Sequence, residues 1–161
     1  MAYHLITDIE PVSVNSGNSR KHNKKKNDWK DYLKASMQTK YPVEAGKTTL
    51  YDSTEKLYFL MTYFSMGKSI RDLDNILKYA SDGFSGYVFP DDSQVCLYIS
   101  QGVEIKSNSI TDIPIDGLPD DAISELLSFI SGSTSTSTNN QSRTYIDCGK
   151  FNKSMIKYNI E

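Results

Sequence analysis

Two carboxylates stand two residues apart in Arg71-Asp72-Leu73-Asp74-Asn75-Ile76-Leu77-Lys78, and a lysine follows the second of them by four positions. The stretch PDDSQV, Pro90 to Val95, adds Asp91 and Asp92. Taken singly, each feature has an ordinary explanation. An Asp ahead of a helical pattern is most often an N-cap, favoured also by the positive end of the helix dipole. Asp91-Asp92 alone is a turn before a strand, and a lysine one helical turn after an acid is an ion pair of little worth. Together they point to chemistry. Both acid pairs lie at the edges of adjacent core elements, so folding is expected to bring them to one end of a sheet. Converging carboxylates repel unless a cation neutralises them. All-oxygen donors suit a hard ion, Mg²⁺ or Mn²⁺, better than zinc. Lys78 falls on the same helical face as Asp74, where its charge can stabilise the phosphorane-like transition state of phosphodiester cleavage.

The elements that must position these residues follow from patterning. Residues 3–14 look like a first strand that Pro11 interrupts or ends, and Asn15 to Asn27 has the polar, basic, aperiodic character of a mobile loop. Trp29, Tyr32, Leu33, Ser36 and Met37 recur at helical spacing, which predicts a helix of about three turns with Asp28 as N-cap, broken by YPVEAG (41–46). Lys56 to Met66 is a nearly unbroken apolar and aromatic run, expected as a central strand buried on both faces. Leu73, Ile76, Leu77, Ala80 and Phe84 form the stripe of a helix packed on the sheet, its polar face carrying Asp74, Asn75, Lys78 and Asp82. Val95, Leu97 and Ile99 alternate with Gln94, Cys96 and Tyr98 as in a half-buried strand. LPDDAISELLSFI (118–130) predicts a further helix, SGSTSTSTNNQS (131–142) a low-complexity linker, and TYIDCGKFNKSMIKYNI a short closing strand with an undefined end.

The bulk properties bound the function. A chain of 161 residues with 38% hydrophobic and 24% charged residues is one domain's worth of soluble protein. Its net charge of −2 announces no global basic field, but the charges are segregated. Arg20, Lys21, Lys24, Lys25, Lys26, Lys30 and Lys34 cluster against two acids, Asp28 and Asp31, whereas Val103 to Ile130 carries six acids and one lysine. The basic segment is a candidate DNA contact, supplemented by Lys68 and Arg71 beside the carboxylates. Cys96 and Cys148 make no zinc pattern with His4 and His22, and both thiols are expected to be reduced and structural. Neither histidine has an evident partner set, so neither is assigned a catalytic role. AGKTTL (45–50) lacks the glycine that a phosphate-binding loop needs, with Tyr41 in its place. MAYHLITDIEP resembles no signal peptide and no stretch approaches a membrane span, so an intracellular location is expected.

Asp72-Leu73-Asp74-Asn75, Lys78, Asp82 and then Asp91-Asp92-Ser93-Gln94-Val95 resemble the signature of RusA-type Holliday junction resolvases, a phage- and prophage-associated endonuclease family. The family pattern is DxDNxxKxxxD, a short loop, then DDxQV opening a strand, and the resemblance covers roughly residues 3–106. It implies a small α+β fold, a mixed sheet with packed helices, that forms a homodimer and cleaves branched DNA in recombination and repair with Mg²⁺. Carried over by position, Asp72, Asp74 and Asp92 are the metal carboxylates and Lys78 the catalytic lysine. Asp91 is expected to shape the turn, and Asp82 to cap the helix or support the site from behind. On this basis residues 1–106 form the nuclease domain, and 107–161 an acidic helix, a Ser/Thr-rich linker and a tail of undefined structure. Three other functions compete: a less selective nuclease on replication intermediates, a non-catalytic module holding DNA through residues 20–34, and an interaction protein working through its acidic C-terminal helix.

Overall fold

The structure is a computed structural model and describes residues 1–11, 20–66, 72–105, 115–132 and 141–156. Among the described residues four strands, β1 (Tyr3–Thr7), β2 (Leu57–Met66), β3 (Val95–Ile105) and β4 (Ser142–Lys150), form one sheet in the order β1-β4-β2-β3. The α-helices of the described residues, α1 (Arg20–Lys40), α2 (Leu73–Phe84) and α3 (Asp120–Ile130), cover it. The strands β2 and β3 are parallel and joined through α2, whereas β4 runs antiparallel to both β1 and β2. This is the α+β class that the sequence predicts.

Alternation along the strands sorts their side chains to two faces. On one face Leu5, Leu57, Phe59, Met61, Ile146 and Cys148 pack with Trp29, Leu33 and Met37 of α1 and Ile76, Ala80 and Phe84 of α2. On the other, Phe64, Ile105 and Tyr145 pack with Ala122, Leu126, Phe129 and Ile130 of α3. The apolar residues of β2 meet partners on both faces, as a central strand's must. Gly83 lets α2 approach α1 closely: a Cβ there would lie 3.1 Å from Leu33 Cδ1 and 3.3 Å from the Lys30 carbonyl oxygen.

Two expectations need correction. Residues 20–27 are the first turns of the 21-residue helix α1, not a loop, so Asp28 lies within the helix and caps nothing. Lys, Arg and Asn carry no apolar periodicity, yet lysine and arginine are good helix formers and extend a helix that Trp29, Leu33 and Met37 anchor. The stretch 12–19, the rest of the expected strand and loop, lies outside the described residues. Nor does the sheet divide near residue 106: β4 lies between β1 and β2, so the last strand in sequence completes the sheet that the first 105 residues begin. Asp72 stands at the N-cap of α2 and Asp74 in its first turn.

Among the described residues no helix is long and apolar enough to cross a membrane. Both cysteines are free thiols, and burial raises the pKa of Cys148, keeping it protonated and inert.

Candidate active site

The site is built from one flank of α2 and the start of β3. Positions 74, 77, 78, 81 and 82 follow an i, i+3, i+4, i+7, i+8 progression, so Asp74, Leu77, Lys78, Ser81 and Asp82 line one stripe of the helix beside its buried face. With Asp92 and Tyr98 they enclose a cavity of about 240 Å³. Asp74, Lys78 and Asp92, three of the four residues expected to carry the chemistry, therefore meet in one place, and Asp82 joins them.

Local bonding explains how Asp92 is held. Asp91 Oδ1 accepts from the Ser93 N–H at 2.8 Å, and Gln94 Oε1 accepts from the Asp91 N–H at 3.3 Å, a reciprocal capping box over one 3₁₀ turn. Hydrogen bonds from Ser93 keep the Asp91 carboxyl below the usual carboxylate range. Gln94 is 4% exposed, and its Nε2 donates to the carbonyls of Asp52 (2.8 Å) and Glu55 (3.1 Å). The turn is thereby fastened to the segment before β2, and Asp92 is fixed at its exposed rim. Asp91 shapes the turn, as expected.

Asp72 behaves differently. It holds the N-cap position of α2 without a side-chain capping bond. Its Oδ2 instead accepts from Asn75 Nδ2 at 2.5 Å, and it is not among the cavity-lining residues. Asp82 caps no helix; it forms a 2.7 Å ion pair with Lys30 of α1. Lys26 and Lys30 also lie over the Tyr79 ring, at 4.8 and 5.8 Å from its centroid, so the basic flank of α1 runs alongside the cavity. Lys24 and Lys25 are exposed on the same helix. Arg20 and Lys21 belong to α1, but their side chains, like that of His22, lie outside the described residues, as do Lys68 and Arg71.

Patterning did not single out Ser81 as a site residue, and it gave Tyr98 only as a strand position. Ser81 is 4% exposed and its Oγ stands 3.2 Å from the Tyr98 hydroxyl. Burial raises the Tyr98 pKa, with Ser81 opposing. The available signal was positional: Tyr98 is six residues beyond Asp92 on the strand that the acidic turn opens.

His4 also needs correction, since it is not without partners. Its Nε2 lies 2.9 Å from Asp121 Oδ1 and 2.8 Å from Lys40 Nζ, and its Nδ1 lies 3.1 Å from the Tyr41 hydroxyl. This cluster joins β1, α1 and α3 on the surface and is remote in sequence from the acidic cavity.

The donor set of the cavity, carboxylates and hydroxyls without sulfur or imidazole, fits a hard divalent cation. Among the described residues, no three His, Cys, Asp or Glu side chains stand close enough together to hold one ion jointly.

A small α+β fold whose acidic cavity pairs carboxylates with a lysine has the parts of a phosphodiesterase. Residues 11–115 match the family model of the endodeoxyribonuclease RusA, and the chain belongs to that family. It is thus an endodeoxyribonuclease, a hydrolase acting on DNA, from a family of Holliday junction resolvases. No curated protein matches the chain.

Proposed function

We propose that this enzyme resolves four-way DNA junctions by divalent-metal-dependent hydrolysis, with Asp74 and Asp92 as the cavity carboxylates that would hold the ion, Asp72 as a further carboxylate at the N-cap of α2 that does not line the cavity, Mg²⁺ or Mn²⁺ as the ion, and Lys78 as the catalytic cation. The convergence of Asp74, Lys78, Asp82 and Asp92 on one cavity carries this reading. A single anionic phosphate could not enter among three carboxylates unless their charge were offset, which Lys78 alone cannot do. When bound, a divalent ion supplies that compensation and lowers the pKa of a coordinated water.

The chain's own groups divide the remaining work. Asp74 is held on the first turn of α2 and Asp92 on the capped turn, so the two carboxylates approach the phosphate from separate rigid elements. Asn75 orients Asp72 through its side-chain amide. Lys78, one turn beyond Asp74, places its ammonium where negative charge grows as the P–O bond breaks. Asp82 is drawn toward Lys30, which reduces its share of the cavity's negative charge. A homodimer would place two such cavities about a two-fold axis, which matches the pseudo-symmetry of a four-way junction and would cut one strand from each side.

The deciding measurement is cleavage of a synthetic four-way junction, a linear duplex and a single strand, in Mg²⁺, in Mn²⁺ and in EDTA. Junction cutting that needs the metal is expected, and Asp74→Asn should abolish it while preserving fold and junction binding. Wild-type cutting by Asp74→Asn would remove the carboxylates from the chemistry. Equal cutting of duplex and junction would leave a nuclease without junction selectivity.

A further inference from the structure

We propose that Tyr98 is a substrate-positioning residue, whose phenolic O–H donates a hydrogen bond to a non-bridging oxygen of the DNA phosphate bound in the cavity while Ser81 holds it in place. The proposal rests on the cavity's being the cleavage site.

A phosphate needs hydrogen-bond donors, and the cavity is poor in them. Asp74, Asp82 and Asp92 are acceptors only when ionised, and Leu77 is neither donor nor acceptor. Among the described residues, the lining side chains that can donate are Lys78, through its ammonium, and Ser81 and Tyr98, through their hydroxyls. Ser81 is buried, whereas Tyr98 is 42% exposed. With the two oxygens 3.2 Å apart, one proton lies between them. If Ser81 donates it, the Tyr98 proton is left for a ligand and its oxygen is already oriented. Lys78 and Tyr98 then act from different walls, the helix and the strand, so that a phosphate between them is fixed in two directions.

The Tyr98 ring itself is placed by packing. It lies against the fully buried Phe59, with centroids 6.1 Å apart and planes at 49°, on the strand that the capped Asp91–Gln94 turn opens. Phenylalanine could make that contact equally well. Ring and hydroxyl can therefore be tested apart, the ring by its contact with Phe59 and the hydroxyl by its place on the cavity wall.

Tyr98→Phe keeps the ring and removes the donor. Under single-turnover conditions with Mg²⁺, its cleavage of a four-way junction should fall about tenfold, the size expected for one hydrogen bond to a charged oxygen. Junction affinity measured in Ca²⁺ should stay within about twofold, because backbone contacts elsewhere dominate binding. The informative substrate carries a phosphorothioate of defined configuration at the scissile position. Wild-type enzyme should cut one diastereomer more slowly than the other, and in Tyr98→Phe that discrimination should shrink, since the contacted oxygen no longer has its donor. Ser81→Ala should reproduce part of the loss, and adding it to Tyr98→Phe should cost nothing further. A wild-type rate for Tyr98→Phe, or a slower rate with an unchanged diastereomer ratio, overturns the proposal. Asp74→Asn run beside it separates the two levels: if Asp74→Asn is inactive and Tyr98→Phe is unaffected, only the role of Tyr98 falls. If Asp74→Asn is active, the reading of the cavity falls and the Tyr98 proposal with it.

Discussion

At the scale of single residues, the acidic motifs divide into groups that face the cavity and groups that hold them there. Gln94 and Asp91 commit their polar atoms to the backbone of the turn and of residues 52–55, and Asn75 commits its amide to Asp72. Asp74, Lys78 and Asp92 are left to line the cavity. Their side-chain types and spacing were legible in the chain, because an i, i+4 relation and an acidic turn before a strand are local facts. Ser81 and Tyr98 were not: they meet through the docking of α2 on β3, which no spacing within either segment reveals. Nor was the ion pair of Asp82 with Lys30, which depends on the packing of two helices. Lys78 gives the most discriminating substitution. Lys78→Ala should lower the single-turnover cleavage rate by a factor on the order of 10², as for removal of one transition-state charge stabiliser, with little change in junction affinity. Affinity that falls in step with rate would make Lys78 a phosphate anchor instead.

At the scale of elements, the basic segment changes meaning once it is helical. Lysines at successive positions of α1 point about 100° apart, so Lys24, Lys25 and Lys26 cannot all follow one strand of phosphates as a loop could. Lys26 turns to Tyr79 on α2, and Lys30, one turn on, reaches Asp82 at the cavity. That flank offers a phosphate track leading into the site, and the exposed Lys24 and Lys25 broaden it. Repulsion between a chain of net charge −2 and DNA does not prevent this, since charges beyond about 8–10 Å are screened near physiological salt. Changing Lys24, Lys25 and Lys26 together to alanine should weaken junction and duplex binding alike. The slope of log K against log salt should flatten by about 0.9 for each phosphate that the variant no longer neutralises, and the helical geometry predicts fewer than three such phosphates. Cleavage at saturating protein should largely recover, because the cavity is untouched. An unchanged slope would show that DNA is gripped elsewhere. The sequence hid this helix for a physical reason: its first turns have no apolar face, and the anchor that orders them, Trp29 to Met37, begins only at the third turn.

At the scale of the whole molecule, the ends of the chain close the structure. Tyr145 and Ile146 of β4 announced a strand, but its place between β1 and β2 arises from pairings across some ninety and a hundred and forty residues, as in Phe59 with Cys148 and Tyr3 with Cys148. Non-local pairing of that kind leaves no periodic trace. The same holds for the surface cluster that ties α3 to the other layers. Asp121 of α3 accepts from Lys40 Nζ at 2.5 Å and lies 2.9 Å from His4 Nε2, linking α1 and β1. Burial opposes ionisation of Asp121, but the bonds from Lys40 and His4 outweigh it and bring its pKa from 3.8 to about 2. A carboxyl whose folded pKa lies below its unfolded one stabilises the fold fully above the unfolded value, and that contribution is lost as pH falls through the folded value. The window here runs from about pH 4 down to about pH 2. Because the Asp121 side chain is 52% exposed, solvent screens the pair and its worth is modest. Asp121→Asn should therefore melt at a lower temperature than wild type at pH 7, and the difference in Tm should narrow on acidification, to about half by pH 3 and with most of it gone by about pH 2. Thermal melts of both proteins across that range decide the matter. A difference that persists unchanged to pH 3 would mean that Asp121 acts through packing, and that its carboxylate does not hold α3 to the sheet.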